Sequence, residues 1–186
     1  MEEPTQTGFV HCSVILKNNQ KNWINNMMKP RIIAVSILFI IAISINAHAA
    51  LKAGTQAPPF TLKSLDGKQV SLKNLRAKGP VMLVFWTTEC VYCFMHIGEL
   101  NELQEKYRDK GFTIAAINFA GEHEQEVREY VSDNGLKYLM LTDRLKNIDV
   151  AQAYKVIGTP TIVLIAPDGK ILTYGYSIPD LTRWIK

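Results

Sequence analysis

This sequence predicts an α/β fold: a central mixed sheet flanked by helices, with an added N-terminal β-hairpin. Three observations carry that reading. Val81-Met-Leu-Val-Phe-Trp86 is a near-continuous apolar run, as expected of a strand buried on both faces of a sheet. A helix-patterned stretch follows from about Cys93 to Lys110, and Phe112 to Phe119 is a second apolar strand. Strand, helix and strand form a βαβ unit, so the two strands should run parallel with a right-handed crossover.

Residues 28–49 precede this fold and read as a secretory signal peptide. Met28-Lys-Pro-Arg31 is a short basic region, and Ala47-His48-Ala49 fits the A-x-A cleavage pattern. Between them Ile32 to Ile45 is an apolar run of 14 residues broken only by serines, short of the roughly 20 that span a bilayer. Cleavage after Ala49 is therefore expected ahead of an uncleaved anchor. No cysteine lies near that site, so lipid attachment is not expected. Residues 1–27 are polar, rich in Asn and Gln, and carry a lone Cys12. They form an N-terminal extension that a start at Met27 or Met28 would leave out, Cys12 with it. Residues 50–186 then form one domain of 137 residues, enough for a single core. Its 17 Lys and Arg against 15 Asp and Glu give no argument for nucleic acid or an anionic membrane surface.

Within that domain Pro58-Pro59 forces extended backbone. Phe60-Thr-Leu62 and Gln69-Val-Ser-Leu72 flank Asp66-Gly67, a β-hairpin turn signal. In the helix after the first central strand, Ile97, Leu100, Leu103 and Tyr107 recur at helical spacing, and Gly111 ends it. A second helix is expected from Glu124 to Asn134 and a short third from Asn147 to Tyr154. Thr161 to Ile165 and Lys170 to Tyr174 form a final hairpin around Pro167-Asp-Gly169. Ser177 caps a last helix with Pro179 in its first turn and Leu181, Trp184 and Ile185 facing inward. No internal repeat or low-complexity stretch interrupts this order.

The chemistry sits at Cys90-Val91-Tyr92-Cys93, between the first central strand and its helix. Two cysteines three apart at a helix start can close a disulfide within one turn. The unpaired N–H groups there favour the thiolate, which is the attacking form. After cleavage these are the only two cysteines, and an exported compartment permits a disulfide between them. A bridge over so small a loop stabilises little through chain entropy, so redox work explains the pair better. The motif points to dithiol–disulfide exchange with no cofactor beyond the Cys90–Cys93 disulfide, and no metal.

Phe85-Trp86, Cys90-Val-Tyr-Cys93, Tyr154-Lys-Val-Ile-Gly-Thr-Pro160-Thr161 and Pro167-Asp-Gly169, in this order and spacing, resemble the thioredoxin fold. The added hairpin and the export signal make the chain similar to the TlpA/ResA-type branch of bacterial thiol–disulfide oxidoreductases, over roughly Gly54 to Trp184. The resemblance implies that Cys90 is the exposed nucleophile and Cys93 the residue that resolves the mixed disulfide. It implies a cis Pro160 against the cysteine pair, with the Thr159 backbone free to pair with extended substrate. It implies disulfide-containing exported proteins as substrates, a periplasmic or otherwise extracytoplasmic location, and a thiol electron donor in the membrane. The chain itself is expected to be monomeric.

Several positions depart from the family pattern. Glu89 stands where relatives usually carry Trp. A carboxylate there opposes the helix-end effect on Cys90, serves as a proton donor or acceptor, or is merely solvated. Tyr92 replaces a proline common between the cysteines. Val84 occupies the place of a buried acid in thioredoxins proper, so another carboxylate or water must move the proton of Cys93. Gly98 replaces a helix-kinking proline and could permit a similar bend, and Ala166 replaces an aspartate. Trp86 and Tyr92 are candidates for the contact surface, with core packing the alternative for Trp86.

Two rival readings remain. Ala57-Pro-Pro-Phe60-Thr-Leu62 through Leu72, with Thr87-Thr-Glu-Cys90, also looks like a peroxiredoxin-type thiol peroxidase, although Leu83 stands where those enzymes carry proline. Cys90, Cys93, Met95 and His96 could hold copper(I); two thiols alone make an incomplete zinc site.

Overall fold

Five strands make the central sheet, in the order β5-β4-β3-β6-β7. They are β3 (Val81–Trp86), β4 (Thr113–Asn118), β5 (Leu139–Leu141), β6 (Thr161–Ile165) and β7 (Ile171–Gly175). The computed structural model describes residues 51–186. The signal-peptide and N-terminal-extension readings fall outside the described residues. Among the described residues no helix is long and apolar enough to cross a membrane.

β3 pairs parallel with β4 and antiparallel with β6, and β4 is parallel to β5. This is the mixed sheet expected, and its fold is thioredoxin-like. Every residue of β3 is buried. The two-residue period sends Met82, Val84 and Trp86 into one apolar layer and Val81, Leu83 and Phe85 into the other. The hairpin of β1 (Thr61–Lys63) and β2 (Gln69–Ser71) forms its own two-stranded sheet. It is tied to β5 by Leu65 N–H to Met140 C=O and Thr142 N–H to Lys63 C=O. At the other edge Gly54 and Ala57 donate to Ile171 and Gly169 at the start of β7. Both edges are thereby partly covered, which limits strand pairing with other chains.

Five elements differ from expectation, four of them outside the active-site helix. α1 (Leu72–Arg76) follows β2 directly, capped by Ser71, whose Oγ accepts from Asn74 N–H at 3.1 Å. β5 is a strand that the sequence reading left out. α5 begins at Arg144, three residues earlier than expected, and runs to Ala153. The last helix is a single 3₁₀ turn, Leu181–Arg183, capped by Asp180 instead of Ser177. Leu181 and Ile185 still face inward and Trp184 packs beside them.

The expected helix from Cys93 to Lys110 is two segments, α2 (Val91–Met95) and α3 (Ile97–Tyr107), followed by a 3₁₀ turn, Arg108–Lys110. The joint is His96, at φ −89° and ψ −6°, whose N–H bonds to Cys93 C=O in the tighter three-residue pattern. Gly98 does not make the bend; it lies inside α3, exposed, with open space where a Cβ would stand. Gly98→Ala is therefore expected to raise stability by roughly 0.5–1 kcal/mol, seen as a higher urea midpoint at unchanged m-value. α4 (Glu124–Asp133) falls where it was predicted.

Candidate active site

β3 and β4 run parallel in a register that pairs Trp86 with Asn118, so the loops leaving both strands meet at one end of the sheet. β6 runs the other way, pairing Phe85 with Thr161, and this brings the Thr159-Pro160 segment to the same end. Three loops far apart in sequence thus converge around Cys90.

Cys90 closes a turn with its N–H on Thr87 C=O and serves as N-cap of α2. Its Sγ accepts a hydrogen bond from Cys93 N–H at 3.1 Å. That donor faces the sulfur on which negative charge develops when the disulfide opens, so local geometry favours a Cys90 thiolate. The two sulfurs are joined in a disulfide with Cα atoms 5.2 Å apart. Both cysteines are nearly covered, Cys90 at 8% exposure and Cys93 at 7%. This corrects the expectation of an openly exposed Cys90: in the disulfide its side chain turns inward over the helix start.

The other expected site residues differ in burial. Val91, Tyr92 and Glu89 are exposed, Thr159 is half-buried, and Pro160 is buried behind a cis Thr159–Pro160 bond. Neither backbone polar group of Thr159 is engaged by another described residue. Thr161 Oγ1 donates to Gly158 C=O at 2.7 Å and fixes the turn ahead of β6. Trp86 is 3% exposed, so core packing describes it better than a contact surface. Its ring lies 5.3 Å from that of Tyr130.

Trp86 also borders a cavity of about 10 Å³ beside Cys93, with Val84, Leu100, Tyr130 and Tyr138 among its walls. That is at the lower limit for one water molecule. No acidic side chain lines this cavity, in keeping with Val84 at the place of the buried acid. Burial, with Tyr130 adding to it, pushes the Tyr138 phenol well above the usual range. Burial and then the Glu122 charge push Tyr130 up as well. Both phenols therefore stay neutral hydrogen-bond donors at physiological pH.

The sequence reading missed Glu122. Its carboxylate accepts from Thr88 N–H at 2.9 Å and from Thr88 Oγ1 at 2.6 Å, and Asn118 Nδ2 donates to its other oxygen. One carboxylate after β4 thus clamps the loop that carries Cys90. The available signal was topological: parallel β3 and β4 deliver the loops after their carboxyl ends to the same place. Glu122→Ala is expected to cost about 2 kcal/mol, since hydrogen bonds to a charged group contribute roughly 1.5–3. Glu122→Gln keeps an acceptor for Thr88 but sets an NH₂ against Asn118 Nδ2, which must turn its amide over to accept, so it is expected to lose about 1 kcal/mol, less than Glu122→Ala. Urea unfolding of the two variants checks this order.

A mixed sheet that holds a Cys-x-x-Cys disulfide at a helix start beside a cis proline defines a class, the thioredoxin-fold thiol–disulfide oxidoreductases. Residues 53–173 match the AhpC/TSA family, and the chain belongs to it. Within it the chain is 38% identical over 122 residues to thiol-disulfide oxidoreductase ResA of Bacillus anthracis, covering 66% of this chain and 68% of that one. It is 33% identical over 147 residues to the ResA of Halalkalibacterium halodurans, covering 74% and 81%. Among solved structures it is similar to the thioredoxin domain of a thiol-disulfide oxidoreductase from Bacteroides vulgatus. That match has a TM-score of 0.65 and 27% identity, over 72% of this chain and 95% of that one. A thiol:disulfide interchange protein from a Bacteroides species matches with a TM-score of 0.62 and 28% identity, over 68% and 82%. The protein is a thiol–disulfide oxidoreductase of the ResA type.

Proposed function

We propose that this enzyme is exported and reduces disulfides in other exported proteins. The observation that carries the reading is the Cys90–Cys93 pair, with Cys90 Sγ held against Cys93 N–H at 3.1 Å. In the reduced enzyme the Cys90 thiolate attacks a substrate disulfide. One substrate sulfur bonds to Cys90 and the other leaves as a thiolate that takes up a proton. Cys93 then loses its own proton and attacks Cys90 Sγ; the intramolecular disulfide forms and the second substrate sulfur leaves and is protonated. Two electrons pass from the dithiol to the substrate, and a thiol donor in the membrane restores them.

On this reading residues 28–49 direct export and are removed or retained as an anchor, residues 50–186 act as a monomer outside the cytoplasm, and residues 1–27 have no part. Tyr92 and Val91 shape the rim of the site. Thr159 offers free backbone groups to an extended substrate, and Pro160 holds that segment in place. The half-buried Glu122, not the exposed Glu89, is the carboxylate that positions the loop.

The test is the equilibrium potential of the Cys90/Cys93 couple against dithiothreitol and glutathione buffers, where each ~30 mV is tenfold in the exchange equilibrium. A potential near the reducing, thioredoxin-like end supports a reductase. One near the oxidising end would make the protein a disulfide donor or isomerase instead. Rapid consumption of hydrogen peroxide by the reduced protein would favour the peroxidase reading, and copper retained through chelator-free purification would favour metal carriage.

A further inference from the structure

Helix α2 has an unusual surface. Of its five residues only Cys93 is buried; Val91 is 69% exposed, Tyr92 68%, Phe94 54% and Met95 68%. A short helix normally turns such side chains into the core, and a contiguous apolar surface left in water marks a place where something docks. No charged residue interrupts Val91–Met95.

We propose that α2 selects protein substrates in which apolar residues flank the reacting cysteine in an extended segment. This rests on the exchange reaction above and names the substrate it takes. A substrate sulfur must bond to Cys90 Sγ, and Cys90 is the residue that starts α2. An extended chain advances about 3.3 Å per residue, and five helical residues span about 7.5 Å. Two or three residues beside the substrate cysteine are thus long enough to reach across the α2 side chains. Cys90 is itself only 8% exposed, so reaction depends on how well these flanks seat. Phe94 and Tyr92 supply broad apolar faces. Met95, unbranched and polarizable, adapts to flanks of different shape.

Two other occupants fit less well. A helix that lies on lipid carries Lys or Arg along its polar face, and α2 has neither. A second copy would need ~800 Å² from each partner for a stable interface, and four side chains on one short helix supply less than that.

The test uses the reduced full-length protein with two cysteine peptides, each blocked as a mixed disulfide with thionitrobenzoate. One peptide carries Leu, Val and Phe around the cysteine, the other Asp, Lys and Ser. Stopped-flow rates are expected to favour the apolar peptide at least tenfold. The Phe94→Ser/Met95→Ser protein is expected to bring the ratio to within about twofold, whereas Leu145→Ser, at another exposed apolar position, keeps it. Equal rates for wild type, or a ratio unchanged in the double variant, overturn the proposal. So does self-association by sedimentation that the double variant abolishes, which would assign α2 to a second copy. Glutathione disulfide separates the two levels. Normal reaction with it and no peptide preference overturns the substrate class alone; no reaction with any disulfide overturns the exchange reading as well.

Discussion

Cys93→Ser is expected to yield a protein that attacks substrate disulfides and then stays attached to them. Non-reducing electrophoresis or intact-mass measurement should show a covalent adduct through Cys90 accumulating stoichiometrically, while turnover with a protein disulfide falls to background. Cys90→Ser should form no such adduct. The size of the effect follows from what Cys93 supplies. It attacks the mixed disulfide from three residues away, and well-oriented intramolecular groups act at effective concentrations on the order of 10⁵ M or more. An external thiol at millimolar concentration cannot replace that. The assignment of roles does not come from exposure, since the two cysteines differ by one percentage point, 8% against 7%. The family resemblance implies it, and placement agrees. Cys90 is the N-cap, its sulfur beside a backbone donor, while Cys93 sits inside the first turn against the cavity walled by Val84, Trp86 and Leu100. If the adduct accumulates in Cys90→Ser instead, the attacking and resolving roles are reversed.

The same contrast between local and distant causes decides what the sequence made legible. The central strands could be read because β3 and β4 are buried on both faces and write that burial as unbroken apolar runs. The cysteine pair could be read because its spacing and its place at a helix start are local. β5 could not: Leu139-Met-Leu141 is too short to show a period, and it becomes a strand because β4 and Lys63 and Leu65 of the hairpin hold it. His96 gives no sequence sign of ending α2, since histidine is an ordinary helix residue; the joint appears only in its backbone angles. α1 was legible in principle, with Ser71 as cap and Leu72 and Leu75 three apart, yet five residues are fewer than periodicity can establish. Glu122 required knowing that β3 and β4 are adjacent and in register, and two strands 32 residues apart by their paired ends, Trp86 and Asn118, do not announce that contact. The active-site loop is therefore defined locally at Cys90 and held from a distance by Glu122.

Gly111→Ala is expected to be the most damaging single-methyl addition among the described glycines. Gly111 ends the 3₁₀ turn after α3 at φ +76°, where any residue with a Cβ is strained. Its N–H bonds to Arg108 C=O and the next N–H, of Phe112, to Tyr107 C=O, the Schellman arrangement that closes helices. Gly135 repeats that arrangement after α4, at φ +63°, with bonds from Gly135 to Ser132 and from Leu136 to Val131. The two differ in what a Cβ would meet. At Gly135 there is open space, whereas at Gly111 the Cβ would lie 1.8 Å from the carbonyl oxygen of Lys78. That backbone cannot simply yield: the adjoining Gly79 is packed against the Gly111 backbone as well, and Thr113 N–H bonds to Pro80 C=O where β3 and β4 begin together. Gly135→Ala should thus cost only the left-handed conformation, roughly 1–2 kcal/mol. Gly111→Ala adds displacement of the connection into β3 and should exceed about 4 kcal/mol, the range reserved for disruption of the fold itself. Asparagine tolerates the left-handed region but carries the same Cβ, so Gly111→Asn should be nearly as damaging while Gly135→Asn is mild. Urea unfolding of the four variants separates the two causes: if Gly111→Asn recovers most of the loss seen in Gly111→Ala, backbone conformation and not the contact with Lys78 governs the position.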